Sequence, residues 1–181
     1  MPVARFCSAC GERLPGAPPV TCAACGTEHW RNAKPCANAI VSDGDRVLLT
    51  LRALAPWQGM WCAPGGFCEP GEHPIATAER EVLEETGQPV RVTGFIGIWL
   101  STYADASSDD ADWISVAYYH ARPIGEQGSH DPAEVAAVGW FRPDELPGEL
   151  SPPDVLPAVL AAWAADVRAG RTASPLPDRP D

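Results

Sequence analysis

Between residues 65 and 88 the chain reads GGFCEPGEHPIATAEREVLEETGQ, with Glu81, Glu84 and Glu85 crowded within one helical turn. Carboxylates three and four residues apart on a helix repel one another, so the cluster calls for something that offsets the repulsion, and a divalent cation would. At about 100° per residue the three glutamates share one arc of a helix over residues 74–87, beside an apolar stripe of Ile75, Ala78 and Val82. Hard oxygen donors of this kind suit Mg2+ or Mn2+, and such ions activate water for attack on phosphorus. Arg80 lies four residues before Glu84, within reach of an ion pair that would orient it. Gly65 and Gly66 allow backbone, a carbonyl included, to approach an ion closely. Glu79 points off the arc and reads as solvated. Helix geometry alone leaves open the plain alternative of an exposed acidic helix.

A second set of ligating residues stands near the N-terminus. CSACG carries Cys7 and Cys10, and CAACG carries Cys22 and Cys25. Two CxxCG knuckles suit tetrahedral zinc, and four thiolates leave no open coordination position, so the ion would be structural. His29 is an alternative donor that four cysteines do not need. Cys36, Cys62 and Cys68 have no knuckle spacing and read as small buried or loop residues.

These groups must be positioned by the rest of a 181-residue chain with 45% hydrophobic residues and a net charge of −11. That composition provides a core for one domain with a small appendage. The charge argues against sequence-independent nucleic-acid binding, which rests on Lys and Arg. The acidic run DASSDDAD reads as a solvated loop. No stretch resembles a signal peptide or approaches the roughly 20 apolar residues of a membrane span, which leads to the expectation of a soluble, cytoplasmic protein without a membrane partner. Residues 1–32 form the ribbon, residues 33–170 the main domain, and residues 171–181 a disordered tail. CANAIVSDGDRVLLTLRA predicts a hairpin turning at Asp43, Gly44 and Asp45. LAPWQGMWCAPGG is a loop dense in Pro, Gly and Trp. VRVTGFIGIWLSTY and WISVAYYHARP read as paired strands, AAVGWF as a further strand, and PDVLPAVLAAWAADVRAG as a C-terminal helix. Strands mixed with two helices predict a layered α/β domain.

From Gly66 the sequence runs Gly, five residues, Glu72, seven residues, then REVLEETG over residues 80–87. This resembles the Nudix box, Gly-x5-Glu-x7-Arg-Glu-U-x-Glu-Glu-x-Gly-U with U aliphatic, at every fixed position; Gln88 departs from the final U. The resemblance extends from the lead-in loop GMWCAPGGFCEPGE to VGWFRPDELP. It implies a Nudix fold, a mixed sheet sandwiched between helices, and Mg-dependent cleavage of a nucleoside diphosphate linked to another moiety. Carried over to this sequence, Glu81, Glu84 and Glu85 would be metal ligands, with the Gly65 carbonyl as an addition. Arg80 would orient a glutamate, Glu72 would support, and Glu134 would be a later acidic candidate, with a solvated loop residue as its alternative.

A ribbon ahead of a Nudix domain is also the arrangement of NADH pyrophosphatase-like members, whose SQPWPFPxS stretch is replaced here by VRVTGFIGIWLSTYADASS. The first expectation is ADP-ribose or a related dinucleotide such as NADH. A nucleoside triphosphate pyrophosphohydrolase and a non-catalytic nucleotide sensor are the alternatives. Trp57 and Trp61, with Trp99 and Tyr103, offer aromatic faces either to a base or to core and rim packing. A homodimer is a further expectation, with the ribbon bracing either the dimer or the catalytic domain.

Overall fold

The computed structural model describes residues 4–103 and 112–170. The expected tail, and all of the acidic loop but the backbone of Asp112, lie outside them, as does the side chain of Tyr103. Eleven elements follow in chain order. β1 (Val20–Thr21) and β2 (Glu28–His29) belong to the N-terminal module. Then come β3 (Lys34–Asp43), β4 (Arg46–Arg52), β5 (Trp61–Cys62), β6 (Gly65–Phe67), α1 (Pro74–Thr86), β7 (Val90–Tyr103), β8 (Asp112–Pro123), β9 (Val135–Phe141) and α2 (Leu156–Arg168).

β1 and β2 pair with each other, and the other seven strands form a mixed sheet in the order β5-β4-β3-β8-β7, with β6 added to β3 and β9 to β4. β3 and β8 are parallel over Lys34–Val41, while β7 and β8 run antiparallel from Val90 to Tyr103. The expected hairpin exists only at its tip. Asp43 pairs with Arg46 and Ser42 with Val47 across a two-residue turn, after which β3 leaves β4 for β8 and β6. An apolar run dictates extended backbone but not its partner, so the divergence was invisible in the pattern.

Alternation along β3 feeds two cores. Ala37, Ala39 and Val41 face Ile75, Ala78 and Val82 of α1, whereas Cys36 and Ile40 join Leu156, Val159, Leu160 and Trp163 of α2. Side chains alternate across a strand with period two, so each helix covers one face and the sheet lies between them. Among the described residues no helix is long and apolar enough to cross a membrane.

α1 begins at His73, whose Nδ1 accepts from the Ile75 N–H at 3.2 Å, and Pro74 fills the first helical position, where its missing N–H costs nothing. It ends at Gly87, whose φ of 67° lets its N–H turn back to Leu83 O at 2.8 Å. Gln88, at the position where the box is aliphatic, is buried. Its Nε2 donates to Gly125 O at 2.8 Å and Pro89 O at 3.1 Å, so hydrogen bonds to the turn after β8 replace apolar packing. Glu79 corrects the expectation of a solvated side chain. Its Oε1 accepts from the Val92 N–H at 2.9 Å and ties α1 to β7.

Candidate functional site

Arg80 organises the acidic face of α1. Its Nε and Nη2 reach the two oxygens of Glu72 at 2.8 and 3.0 Å, and Nη1 reaches Glu81 at 2.7 Å and Glu84 at 2.9 Å. Nη2 also donates to Phe67 O at 3.3 Å, which fastens the helix to the end of β6. Glu72 in turn accepts from the Glu69 N–H and from Thr77 Oγ1. With Arg80 as the main cause, the Glu72 carboxyl is held down at a pKa of about 2. One planar guanidinium thereby fixes three carboxylates, which a lysine's single ammonium does not reproduce. Replacing Arg80 with lysine is therefore expected to lower kcat about 10- to 100-fold, the range seen when groups supporting metal ligands are lost. Steady-state kinetics on the preferred nucleotide checks this, and an unchanged kcat would contradict it.

Glu81 and Glu85 face a cavity of about 370 Å3, together with Arg52, Trp57, Gly65 and Glu134. Glu85 Oε2 accepts the Gly65 N–H at 3.1 Å. Burial pushes the Glu85 carboxyl up to about 8, with Glu81 and Glu134 adding to the rise against the Gly65 N–H and Arg52. Glu81 is also raised, first by burial, with Glu84 and Glu134 contributing and Arg80 opposing. These are the marks of buried carboxylates short of positive charge; oxygen donors of this kind suit a hard divalent cation, and among the described residues no three of these carboxylates lie within 4.8 Å of one another. Gly66 makes the arrangement possible, since a Cβ there would stand 2.5 Å from Glu81 Cδ.

Glu84 is displaced from this cavity. Its side chain is 57% exposed and reaches the group only through Arg80. Glu134 comes from the loop before β9, where its carbonyl anchors the Ala53 N–H at 3.0 Å. Trp57 lies on the lining with a φ of 60°, unusual for a bulky residue. The turn around it is pinned by bonds from Met60 N to Trp57 O and from Gly59 N to Arg52 O. Trp61, expected beside it, instead packs edge-on to Phe141 at 4.8 Å between ring centroids, against the α2-side core. Trp99 likewise packs on Tyr118.

Arg52 went unremarked in the sequence. It lines the same cavity, its Nε donates to Pro56 O at 2.8 Å, and its guanidinium carbon stands 6.0 Å from the Trp57 ring centroid. The available signal was an arginine closing the apolar run VLLTLR just before the loop rich in Pro, Gly and Trp.

The four cysteines converge independently. Among the described residues they are the only group of three or more His, Cys, Asp or Glu whose ligand atoms all lie within 4.8 Å of one another. Cys7 and Cys25 sulfurs are 3.6 Å apart, and Cys10 and Cys22 sulfurs 3.7 Å. A tetrahedral zinc with Zn–S bonds of about 2.3 Å sets its sulfurs about 3.8 Å apart, so the cradle fits that ion. Each knuckle turns alike, with Gly11 N on Cys7 O and Gly26 N on Cys22 O, both at 2.9 Å. His29 Nε2 lies 3.3 Å from Cys7 Sγ, in the place of a group that supports a ligand.

Comparison with known proteins matches residues 33–159 to the NUDIX domain. The chain is 29% identical over 149 residues to the NAD-capped RNA hydrolase NudC of Stutzerimonas stutzeri, covering 79% of this chain and 50% of that one. With NudC of Pectobacterium carotovorum it shares 27% identity over 152 residues, covering 82% of this chain and 55% of that one. The chain thus spans about half the length of these relatives. A crystal structure of a NUDIX hydrolase from Nitrosomonas europaea superposes with a TM-score of 0.76 at 24% identity, over 94% of this chain and 96% of that one. With Arg80, Glu81, Glu84 and Glu85 of the box gathered on α1, the sheet held between two helices and more than half its length matched to the domain, the chain belongs to the Nudix family.

Proposed function

We propose that the protein hydrolyses the pyrophosphate bond of a dinucleotide-type substrate, a nucleoside diphosphate linked to a second moiety such as ADP-ribose or NADH. The observation that carries this reading is the cavity itself, where Glu81, Glu85 and Glu134 meet Arg52 and Trp57. Carboxylates alone repel a pyrophosphate; together with a divalent cation and an arginine they hold one.

Glu81 and Glu85, with Gly65 beside them, would hold Mg2+ or Mn2+, which when bound supplies an activated water and neutralises charge on the phosphoryl oxygens, and Glu84 would join them on turning inward from its outward position on Arg80. Arg80 keeps Glu81 and Glu84 aimed, while Glu72 keeps Arg80 in place. Arg52 is placed to take a phosphate oxygen, and Trp57 to cover the ligand from the loop. Glu134, a cavity carboxylate outside the Arg80 clamp, is placed to accept a proton at its side-chain oxygens. The zinc module of residues 1–32 serves as a brace for the catalytic domain of residues 33–170.

The relatives named NAD-capped RNA hydrolases suggest the same bond chemistry on a longer substrate, so a capped oligonucleotide belongs in the test. Chromatographic product analysis with Mg2+ should cover ADP-ribose, NADH, NAD, nucleoside triphosphates and an NAD-capped RNA. The expected result is AMP with a second phosphate product from a dinucleotide-type compound. Pyrophosphate released only from triphosphates would move the assignment to a triphosphate pyrophosphohydrolase, and no turnover with thermal stabilisation by a nucleotide would make the domain a sensor. Replacing Arg52 with alanine should raise KM about tenfold, since a hydrogen bond to a charged group is worth roughly 1.5–3 kcal/mol. An unchanged KM would remove Arg52 from the binding account.

A further inference from the structure

The buried part of the cavity differs in kind from its acidic rim. Ile114, Val116, Cys36 and Cys62 give it apolar walls, and Thr50, Tyr118 and Ser151 bring hydroxyl side chains to its lining; the Thr50 hydroxyl is engaged with Cys62, which leaves those of Tyr118 and Ser151. Neither has a hydrogen-bond partner among the described residues, although Tyr118 is 0% and Ser151 1% exposed. A buried hydroxyl without a partner lowers stability, so its retention calls for a reason. The fold supplies none. Ile114, Val116 and Tyr118 alternate along β8, and Tyr118 is seated by its ring, 5.4 Å from that of Trp99. A phenylalanine would seat equally well. Ser151 is held through its main chain, with its N–H on Trp61 O at 2.8 Å, and its hydroxyl takes no part. Burial pushes the Tyr118 phenol pKa upward, with Cys62 and Asp154 adding to it, so that hydroxyl remains a donor.

We propose that Tyr118 and Ser151 form a recognition subsite for the planar heterocycle of a nucleotide, hydrogen-bonding its polar edge while the pyrophosphate lies against the glutamate rim. This rests on the reading of the cavity as a nucleotide site and adds how the base is chosen. A flat ring whose polar atoms are confined to its edge matches apolar walls closed by two hydroxyls. A sugar, with hydroxyls all round, does not. Where buried groups are left unpaired by the wrong ligand, discrimination is strong.

The test is calorimetric titration of the full zinc-loaded chain with Mg2+ present. The probes are AMP, GMP, CMP, UMP and nicotinamide mononucleotide, with ribose 5-phosphate as the control that lacks a base. None has a pyrophosphate bond, so binding is read without turnover. The expected result is that one nucleotide binds more tightly than ribose 5-phosphate. Tyr118→Phe and Ser151→Ala should each weaken that nucleotide about tenfold or more, with ribose 5-phosphate unchanged and Tm equal to or above wild type. The proposal is overturned if no nucleotide outbinds ribose 5-phosphate, or if both variants keep the wild-type ratio. A fall in Tm with the ratio intact would show a structural role and overturn it equally. Should Tyr118→Phe fail to fold, Ser151→Ala decides alone. Base selection that survives in a protein without hydrolytic activity would sink the proposed reaction and leave the subsite standing; hydrolysis without base selection would do the reverse.

Discussion

Glu85→Gln should lower kcat at least about 100-fold while making the metal-free protein more stable at pH 8. The first effect follows because charge stabilisation centred on the ion is worth several kcal/mol, and each 1.4 kcal/mol is tenfold in rate. The second follows from the raised acidity constant. Glu85 titrates near 8 in the folded chain, chiefly through burial, against about 4.3 in an unfolded one. The folded state therefore keeps its proton longer. The stability linked to this group is fully present below pH 4, declines as the pH rises, and is gone once the pH passes through 8. Glutamine keeps the shape and can still accept the Gly65 N–H, but carries no charge to bury. Mg2+ should accordingly raise the wild-type Tm far more at pH 8 than at pH 5, and do little for the variant. Thermal denaturation at both pH values, with and without Mg2+, measures this. Equal shifts at the two pH values, or a variant within tenfold of wild-type turnover, would sink the account.

Removing zinc should unfold the N-terminal module and leave the Nudix domain folded. Among its described residues that module buries only Cys7, Leu14 and Cys22, with Val20 packed beside them, far too little apolar surface to offset the entropy of ordering the chain. Zinc binding is worth about 10–16 kcal/mol in small peptide modules, so its loss is decisive there. Hydrogen exchange read by mass spectrometry, before and after a strong chelator, should show residues 4–32 exchanging freely while α1 and β8 keep their protection. Protection of the module that persists without zinc would refute the prediction, and uniform loss across the chain would mean the two parts fold as one.

What could be read in advance was whatever depends on spacing along the chain. The two cysteine pairs, the glutamates of α1, Pro74 at its start and Gly87 at its end each declare themselves within a few residues, because a helix or a knuckle is a local object. The pairing of β7 with β8, the strand β9 and the helix α2 were likewise legible from apolar patterning. What needed the structure was every contact made across the chain. Arg80 pairs with Glu84 as its spacing predicts, but its Nε also goes to Glu72, eight residues away in the loop before the helix. Glu79 looked solvated because the N–H it accepts belongs to Val92 on another element. Trp57 and Trp61 looked equivalent, but a turn places one on the cavity and turns the other toward Phe141. Tyr118 and Ser151 carry no mark in the sequence, and Arg52 carries only its place at the end of an apolar run, since each gains its surroundings from what the fold sets beside it.

β3 is the strand through which the molecule's cooperativity must pass. It pairs with β4, β6 and β8, and its two faces belong to different cores. Neither helix can detach without uncovering one face of it, and neither half of the sheet can open without breaking one of its ladders. Amide protons of Ala37, Ala39 and Val41 should therefore exchange only through global unfolding, at a free energy equal to that of the whole domain. The same strand begins five residues after His29 of the four-cysteine module, so unfolding of that module on metal removal should reach β3 and go no further.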